Sequence, residues 1–236
     1  MSRTLFISDL HLDTARPDIT GALAAFLQNN NDCDTLYVLG DLFEVWVGDD
    51  DDSSFAAQIA DLFRSFTAAG PALKLMQGNR DFLLGEAFCT SVGATLLADP
   101  SVIDLYGTPT LLMHGDSLCT GDSEYMAFRA TARDAQWQAD LLAKPLAERR
   151  AFAAHLRSAS KEASSNKAED IMDVTPSEVD RVMVEAGVSR LIHGHTHRPA
   201  RHRSAQGERI VLGDWDSRGW CIEATSSSFE LLDFPI

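Results

Sequence analysis

The chain has 236 residues, 45% of them hydrophobic and 23% charged, which is enough to bury a full core as one large domain or as a domain with an insertion. Its formal net charge of −15 argues against general nucleic-acid binding, because neutralising phosphates requires a basic surface. No apolar run approaches the ~20 residues of a membrane-spanning helix, no secretory signal opens the chain, and four scattered cysteines indicate reduced thiols, so we expect a cytoplasmic protein.

The N-terminal third alternates apolar runs with segments of helical periodicity. Strands are predicted at residues 4–8, 35–39 and 72–77. A helix follows Pro17, and a second helix, capped by Ser53 or Ser54, ends before Gly70. The resulting βαβαβ order predicts a largely parallel sheet.

Further along the chain, the predicted elements are first short strands, then helices, then short strands again. A strand is predicted at residues 110–113, and helices over about residues 122–172. Thr175 and Glu178 have the spacing of a capping box, which predicts a helix that ends at Gly187. A strand at residues 188–192 follows, and the short strands of the tail predict a second sheet.

The predicted strands end in polar side chains of the kind that bind metal ions. These side chains are Asp9, His11, Asp41, Asn79, His114, His195 and His197. Oxygen and nitrogen donors without sulfur favour Mn, Fe, Zn or Co over a structural zinc cluster. Seven ligands are too many for one catalytic ion with an open position, and predict two ions ~3.5–4 Å apart that share one carboxylate. Each element alone could be a helix cap or a turn, but five in order favour a metal site.

Five short blocks in this order resemble the signature of the calcineurin-like metallophosphoesterases. The blocks are Asp9-Leu10-His11, Gly40-Asp41, Gly78-Asn79-Arg80-Asp81, His114-Gly115-Asp116 and Gly194-His195-Thr196-His197. The resemblance implies an α/β fold, a four-layer α-β-β-α sandwich of two sheets flanked by helices. It also implies two ligand sets: Asp9, His11, Asp41 and His197 for one ion, and Asp41, Asn79, His114 and His195 for the other. His193 stands outside both sets, so we expect it to support a ligand or to pack in the core.

Arg80 departs from the generic family pattern, which reads Gly-Asn-His in the third block. That histidine can protonate a poor alkoxide leaving group, whereas an arginine stays charged and cannot act as a general acid. Arginine can hold an oxyanion with its planar set of donors. A phosphate monoester leaves without added proton far more easily than an alkoxide, so Arg80 points to a phosphoanhydride substrate. The alternative is neutral drift, for which a change from acid to permanent cation is a poor candidate.

Arg80 and its surroundings closely resemble one subfamily, the UDP-2,3-diacylglucosamine pyrophosphohydrolases of lipid A biosynthesis. The resemblance implies hydrolysis of UDP-2,3-diacylglucosamine to UMP and 2,3-diacylglucosamine 1-phosphate, with two Mn²⁺ ions and a hydroxide between them that attacks the uridylyl phosphorus. It implies Asp41, Asn79 and Arg80 as catalytic residues. It implies substrate contacts at Asn79, Arg80, Asp122, Ser160, Ser164, Lys167 and His195, although Ser164 stands where relatives often carry asparagine. It also implies a lipid-linked UDP-sugar partner, peripheral contact with the cytoplasmic face of the inner membrane, and no nucleic acid or obligate protein partner.

The segment 122–172, called the insertion below, is predicted to form a helical cap inserted in a core domain of residues 1–121 and 173–236. Large apolar side chains alternate there with Arg129, Arg133, Lys144, Arg149, Arg150 and Arg157. Such helices could form an apolar cleft for acyl chains and place a basic face on anionic headgroups. They could equally pack the insertion onto the core, and Trp46 and Phe82 could complete the cleft or fill core.

Two other functions, one enzymatic and one not, stay open on these residues. One is a soluble phosphodiesterase or nucleotide hydrolase of the same superfamily, and the other is a non-catalytic protein-interaction module. The second is disfavoured because all seven ligand positions are filled. The acidic segment, residues 49–52, precedes a helix N-terminus and is interpreted as a solvated helix cap.

Overall fold

The computed structural model describes residues 2–165 and 173–236, with side chains described over residues 2–158 and 173–236. The strands are β1 Arg3–Ile7, β2 Thr35–Leu39, β3 Ala72–Met76, β4 Ala94–Leu97, β5 Ser101–Leu105, β6 Thr108–Leu112, β7 Arg190–His193, β8 Ala200–Ser204, β9 Gly207–Val211, β10 Arg218–Thr225 and β11 Phe229–Pro235. The helices are α1 Pro17–Asn29, α2 Ser54–Ala68, α3 Glu86–Ser91, α4 Ser123–Ala132, α5 Ala135–Leu142, α6 Leu146–Ser165 and α7 Pro176–Ala186, with a 3-10 turn at Asp116–Leu118.

The strands form two sheets, each with a parallel centre. The first has the order β11-β10-β1-β2-β3-β4 and the second β5-β6-β7-β9-β8. In the first sheet β1, β2, β3 and β4 are parallel, as the βαβαβ order predicted, and β10 runs antiparallel to β1. The tail was predicted to build the second sheet, but only β8 and β9 do so, because β10 and β11 extend the first sheet next to β1.

Alternating side chains of β1 explain the layering. Phe6 faces the second sheet and is fully buried with Leu39, Ile192 and Ile210. Its neighbours Leu5 and Ile7 face the other way and pack against α1 and α2. On the far side, α7 packs its Val179 and Met183 onto β6 and β7. Full burial of a side chain such as Phe6 contributes about 1.5–3 kcal/mol. The layers are therefore α-β-β-α, and the predicted fold class is confirmed.

Helix ends follow the sequence at every predicted position except the capping box. The Ser53 hydroxyl accepts from the Ala56 amide at 3.1 Å, and Gly187 ends α7 with a left-handed φ of 64°. Pro176 is the first residue of α7. The capping box was wrong: among the described residues, the Thr175 side chain makes no hydrogen bond to the helix, and Glu178 pairs with Arg181. Thr175 instead accepts from the Thr120 hydroxyl, which competes for the same oxygen.

The described part of the insertion is helical and shares the main core. Ala132 and Leu141 are buried in the same cluster as β1, and Phe128, Trp137 and Phe152 pack against it. The packing interpretation therefore holds for part of these side chains. The domain boundaries at residues 122 and 172 stay a prediction. Over the described residues, no helix is both long and apolar enough to cross a membrane.

The acidic segment, residues 49–52, precedes α2 and is exposed at Asp50 and Asp52, as its interpretation as a solvated cap predicted, but its carboxylates also contact the rest of the protein. The Asp49 carboxylate accepts from the amides of Gly85 and Phe88, each at 2.9 Å. Asp50 forms a two-point ion pair with Arg149, whose side chain is 3% exposed. Asp51 and Asp52 both pair with Arg150. Asp50, Asp51 and Asp52 therefore hold the start of α6 against the core, across about a hundred residues of sequence.

Most of the basic side chains that were predicted to form a membrane-facing surface on the insertion instead bind other groups of the protein. Arg129 donates to Asp116 at 2.9 Å, and Arg133 donates to the carbonyl of Gly78 at 3.1 Å. Arg149, Arg150 and Arg157 pair with acids of residues 44–52. Five of the six cations therefore have protein partners, which are carboxylates for four of them and carbonyl oxygens for Arg133.

Candidate metal centre

The seven predicted ligands meet at one edge of the two sheets. Asp9 and His11 follow β1, Asp41 follows β2, and Asn79 follows β3. In the second sheet His114 follows β6, and the two remaining histidines follow β7. Carboxyl ends of parallel strands lie at the same edge, which explains the convergence.

Most of these residues sit on sharp backbone turns. Five of the seven have left-handed φ angles, between 49° and 67°: Asp9, His11, Asp41, His195 and His197. This conformation is uncommon for residues other than glycine and clusters at functional sites. It turns each side chain off its strand direction and into the space between the strand ends.

The first ligand group consists of Asp9, His11 and His197, whose ligand atoms all lie within 4.8 Å of one another. The Nε2 atoms of His11 and His197 are 3.1 Å apart, and Oδ1 of Asp9 is 3.6 Å from the latter. Oδ1 is buried and has no hydrogen-bond partner among the described residues. Two imidazole lone pairs and a buried carboxylate oxygen in one space suit a cation, because a buried charge requires a partner.

The second ligand group consists of Asp41, His114 and His195, and Asn79 completes it. Oδ1 of Asn79 lies 2.9 Å from Nε2 of His114 and 2.8 Å from Nδ1 of His195. Asp41 faces both groups: its Oδ1 is 3.7 Å from Nε2 of His114 and its Oδ2 is 4.0 Å from Nε2 of His11. The carboxylate predicted to be shared by two ions therefore lies between the two groups.

Electrostatics at this edge favour positive charge. Burial opposes protonation of His114, yet the carboxylates of Asp41, Asp9 and Asp116 raise its pKa to about 9. The Asp9 carboxyl is fully buried, which raises its pKa, but the nearby imidazole of His197 outweighs this and lowers the pKa. Burial and the neighbouring His114 lower the pKa of His195 to about 4, so it is neutral near pH 7 and can act as a ligand. The donor set fits two divalent cations.

Carboxylates and carbonyls behind the imidazoles fix their orientation. The Nδ1 atoms face Leu39 O at 2.9 Å for His114, Asp214 at 3.5 Å for His197 and Glu44 at 3.2 Å for His11. Such partners set the tautomer that leaves the other ring nitrogen for a metal. Glu44 and Asp214 were not predicted from the sequence, although Glu44 lies three residues after Asp41.

His193 lies outside both groups. Its ring is fully buried, Nδ1 is 2.8 Å from the carbonyl of Gly194, and Nε2 is 3.2 Å from an amino group of Arg209. Burial and the Arg209 charge lower its pKa to about 3. Since an arginine can only donate, the neutral ring accepts at Nε2 and donates at Nδ1. His193 thus packs in the core and supports the loop that carries the later histidines.

Two further carboxylates behind the ligands hold the loops together. Asp81 is fully buried and accepts from the amides of Gly78 at 2.6 Å and Leu42 at 2.8 Å. Asp116 accepts from the Tyr125 hydroxyl at 2.7 Å, which ties α4 to the loop after β6. Both residues are the last members of signature blocks, so their position in the sequence was the available signal.

A cavity of about 290 Å³ adjoins the metal centre. Asn79, Arg80 and Asp122 line its polar end. Core and insertion together form the apolar walls, which include Trp46, Phe82, Leu83, Phe128, Phe152 and Leu156. The insertion therefore forms part of the wall of an apolar cavity beside the metal centre, which is the arrangement that the lipid-substrate hypothesis predicts.

The residues predicted to contact substrate lie in several parts of the structure. Asp122 caps α4, accepting from the Tyr125 amide at 3.0 Å, and the Tyr125 ring stacks on His195 with centroids 5.9 Å apart. Ser160 and Ser164 lie in α6, but their side chains are outside the described residues, and Lys167 lies outside them altogether. Arg80 donates its backbone amide to Oδ1 of Asp41 at 2.8 Å.

A model of the calcineurin-like phosphoesterase family matches residues 2–199. The chain belongs to this family. The resemblance predicted from the five blocks is therefore confirmed. A protein of Cellvibrio japonicus named UDP-2,3-diacylglucosamine hydrolase is 56% identical, with 99% of both chains covered. A protein of the same name from Pseudomonas aeruginosa is 51% identical over 98% of this chain and 99% of its own. The solved structure of an archaeal phosphodiesterase, 13% identical, covers 99% of both chains with a TM-score of 0.51 and shares the fold.

Proposed function

We propose that this protein hydrolyses the pyrophosphate bond of UDP-2,3-diacylglucosamine to UMP and 2,3-diacylglucosamine 1-phosphate, a step of lipid A biosynthesis. The observation that supports this most directly is the apolar cavity beside the metal centre, which is lined by the proposed metal ligand Asn79 and by Arg80. Names of relatives at 51–56% identity over almost the full length support it. A soluble phosphodiesterase has no use for an apolar cavity beside its metals, so this alternative is disfavoured.

We propose two divalent cations, Mn²⁺ first among the candidates, as the cofactor. Asp9, His11, Asp41 and His197 would hold one, and Asp41, Asn79, His114 and His195 the other. When bound, such a pair lowers the pKa of water and stabilises negative charge on phosphoryl oxygens. The converging donor atoms and the buried, unpartnered Oδ1 of Asp9 in the described structure support this assignment.

Arg80 is proposed to hold the phosphoryl oxygens of the pyrophosphate. Arg80 lines the cavity next to Asn79, and arginine presents several donors to such oxygens at any working pH. Since the leaving group is a phosphate, no general acid is needed at this position. Asp122, His195, Ser160, Ser164 and Lys167 stay proposed substrate contacts.

The apolar walls are proposed to hold the acyl chains. Each methylene that leaves water contributes about 0.8 kcal/mol, so long chains bind strongly to such walls. A substrate of this kind resides in a bilayer, which is the support for our proposal of peripheral contact with the cytoplasmic face of the inner membrane. The arginines of the insertion give no additional support to this membrane contact, because they are paired within the protein.

The test is hydrolysis of UDP-2,3-diacylglucosamine in ¹⁸O water with Mn²⁺, followed by mass spectrometry of both products. We expect the label in UMP, because attack falls on the uridylyl phosphorus. Asp41→Ala should lose nearly all activity, since it removes the carboxylate between both groups, whereas Asp18→Ala, on the exposed face of α1, should keep it.

Three results would contradict the proposal at different points. Label in the sugar phosphate alone would refute the site of attack. Turnover of water-soluble diesters without hydrolysis of the lipid substrate would favour a phosphodiesterase. Absence of bound metal in the purified, Mn²⁺-treated protein would favour a non-catalytic module.

A further inference from the structure

Glu44 lies between the metal centre and α6, and its backbone is held rigidly. The His11 amide donates to Asp41 O at 3.0 Å, and the Leu12 amide to Leu42 O at 2.9 Å. The Glu44 amide in turn donates to Leu12 O at 3.1 Å. This parallel pairing fixes the start of the Glu44 side chain relative to His11.

One carboxylate oxygen of Glu44 reaches the ligand histidine. Oε2 lies 3.2 Å from Nδ1 of His11. Nδ1 is buried and has no hydrogen-bond partner of good geometry among the described residues. Nε2 of His11 faces the metal centre, so a proton on the ring must sit on Nδ1. A buried N–H requires an acceptor, and Glu44 is the carboxylate within reach.

The other carboxylate oxygen reaches the insertion. Oε1 of Glu44 pairs with Arg157 of α6, and Arg157 lines the cavity. Both side chains are about a quarter exposed. A single carboxylate therefore contacts a metal ligand on one side and a cavity-wall cation on the other.

We propose that Glu44 is a positioning residue that orients His11 for metal binding and holds Arg157 at the cavity wall. This rests on the proposed function, since it takes His11 as a metal ligand. Partners of this type behind metal-bound histidines typically change metal affinity 10- to 100-fold when removed. Glu44 thereby connects metal binding to the shape of the cavity.

The distinguishing experiment is Mn²⁺ titration calorimetry on the metal-free full chain, with KM and kcat measured alongside. Glu44→Gln should weaken one of the two ions about 10-fold or more, leave the other within about twofold, and raise KM. Glu44→Asp, which withdraws the carboxylate by about one C–C bond (~1.5 Å), should weaken the same ion and serves if the glutamine variant fails to fold.

The matched control is Asp50→Asn, which breaks another acid–arginine pair between the core and α6. If Glu44 only held the insertion in place, then neither Glu44→Gln nor Asp50→Asn would change the affinity for either ion. We expect Asp50→Asn to keep both affinities within about twofold. Unchanged affinities in the Glu44 variants would overturn the inference, while failure of the unmodified chain to bind two ions would overturn the proposed function instead.

Discussion

Gly194→Ala adds one methyl group beside Asp9, a proposed metal ligand, and tests the geometry of the proposed metal centre. A Cβ at Gly194 would lie 2.8 Å from Cβ of Ser8, and closer still to the Ser8 hydroxyl and to Oδ2 of Asp9. Gly194 does not have a left-handed φ, so alanine is compatible with the backbone and the effect is steric. The methyl group therefore has to displace Asp9 or its own loop.

The size of the effect on stability and rate follows from how far the new Cβ is inside normal packing distance. Carbon atoms pack at about 3.5–4.0 Å, so at least ~0.7 Å must be gained at Ser8. Asp9 Oδ2 now accepts from the Ser8 hydroxyl at 2.5 Å and from the His195 amide at 2.9 Å. Both bonds point into the space that the methyl group would occupy. Overpacking of this kind costs about 1–3 kcal/mol of stability, and a displacement near 1 Å at a reacting centre costs ~10²-fold in rate.

The assay is hydrolysis of the lipid substrate at several Mn²⁺ concentrations, with urea unfolding measured in parallel. We expect kcat/KM to fall about 100-fold. The control is Gly21→Ala in α1, where a Cβ would meet nothing within 4 Å. It should keep full activity and gain about 0.5–1 kcal/mol, because alanine favours helix. A Gly194→Ala protein with activity and metal affinity within twofold of the unmodified chain would refute the reasoning.

Three further predictions concern the rest of the molecule. Arg149→Met should lower the free energy of unfolding in urea by about 1–3 kcal/mol, since the bonds to Val47 O, Lys144 O and Asp50 are lost; no change would contradict their contribution. Burial and the nearby Asp116 raise the pKa of Asp99 above 3.8, so its ionisation costs stability as pH rises from about 4 through the raised pKa. Asp99→Asn should therefore stabilise the protein at pH 8 more than at pH 4, and parallel pH profiles would count against this. Burial raises the pKa of each cysteine thiol, to about 11 or 12, so Ellman's reagent at pH 8 should label none of the four quickly before denaturation: Cys33, Cys89, Cys119 and Cys221.

The parallel strands β1, β2 and β3 of the first sheet, and the convergence of the predicted ligands at their ends, were predictable because their signals are local. A buried apolar run that ends in Gly40-Asp41 shows both the strand and the position of its last side chain. Parallel strands then bring such ends together, so the order of these runs along the chain is enough to place Asp9 and Asn79 at one edge of the sheet.

The interactions of the acids and arginines were not predictable in the same way. The pair Asp50 and Arg149 is separated by 99 residues, and each partner alone has a local explanation: a helix-dipole acid and a membrane-facing cation. Each local explanation considered one residue by itself, so neither could show that the two side chains pair with each other. Glu44 was overlooked for a related reason, since its partners, His11 and Arg157, lie far away on opposite sides in the sequence.

Residues 41–52 contribute to three features of the protein from one short stretch of backbone. Asp41 faces both ligand groups, residues 45–47 line the cavity, and Asp50 holds α6. The proposed ions and a ligand in the cavity would therefore contact the same short segment. Thermodynamic reciprocity requires that any gain in the ligand's affinity on adding ions equals the gain in the ions' affinity on adding the ligand. A cavity-bound inhibitor that gains affinity with the ions would, by the same factor, make them harder for a chelator to remove.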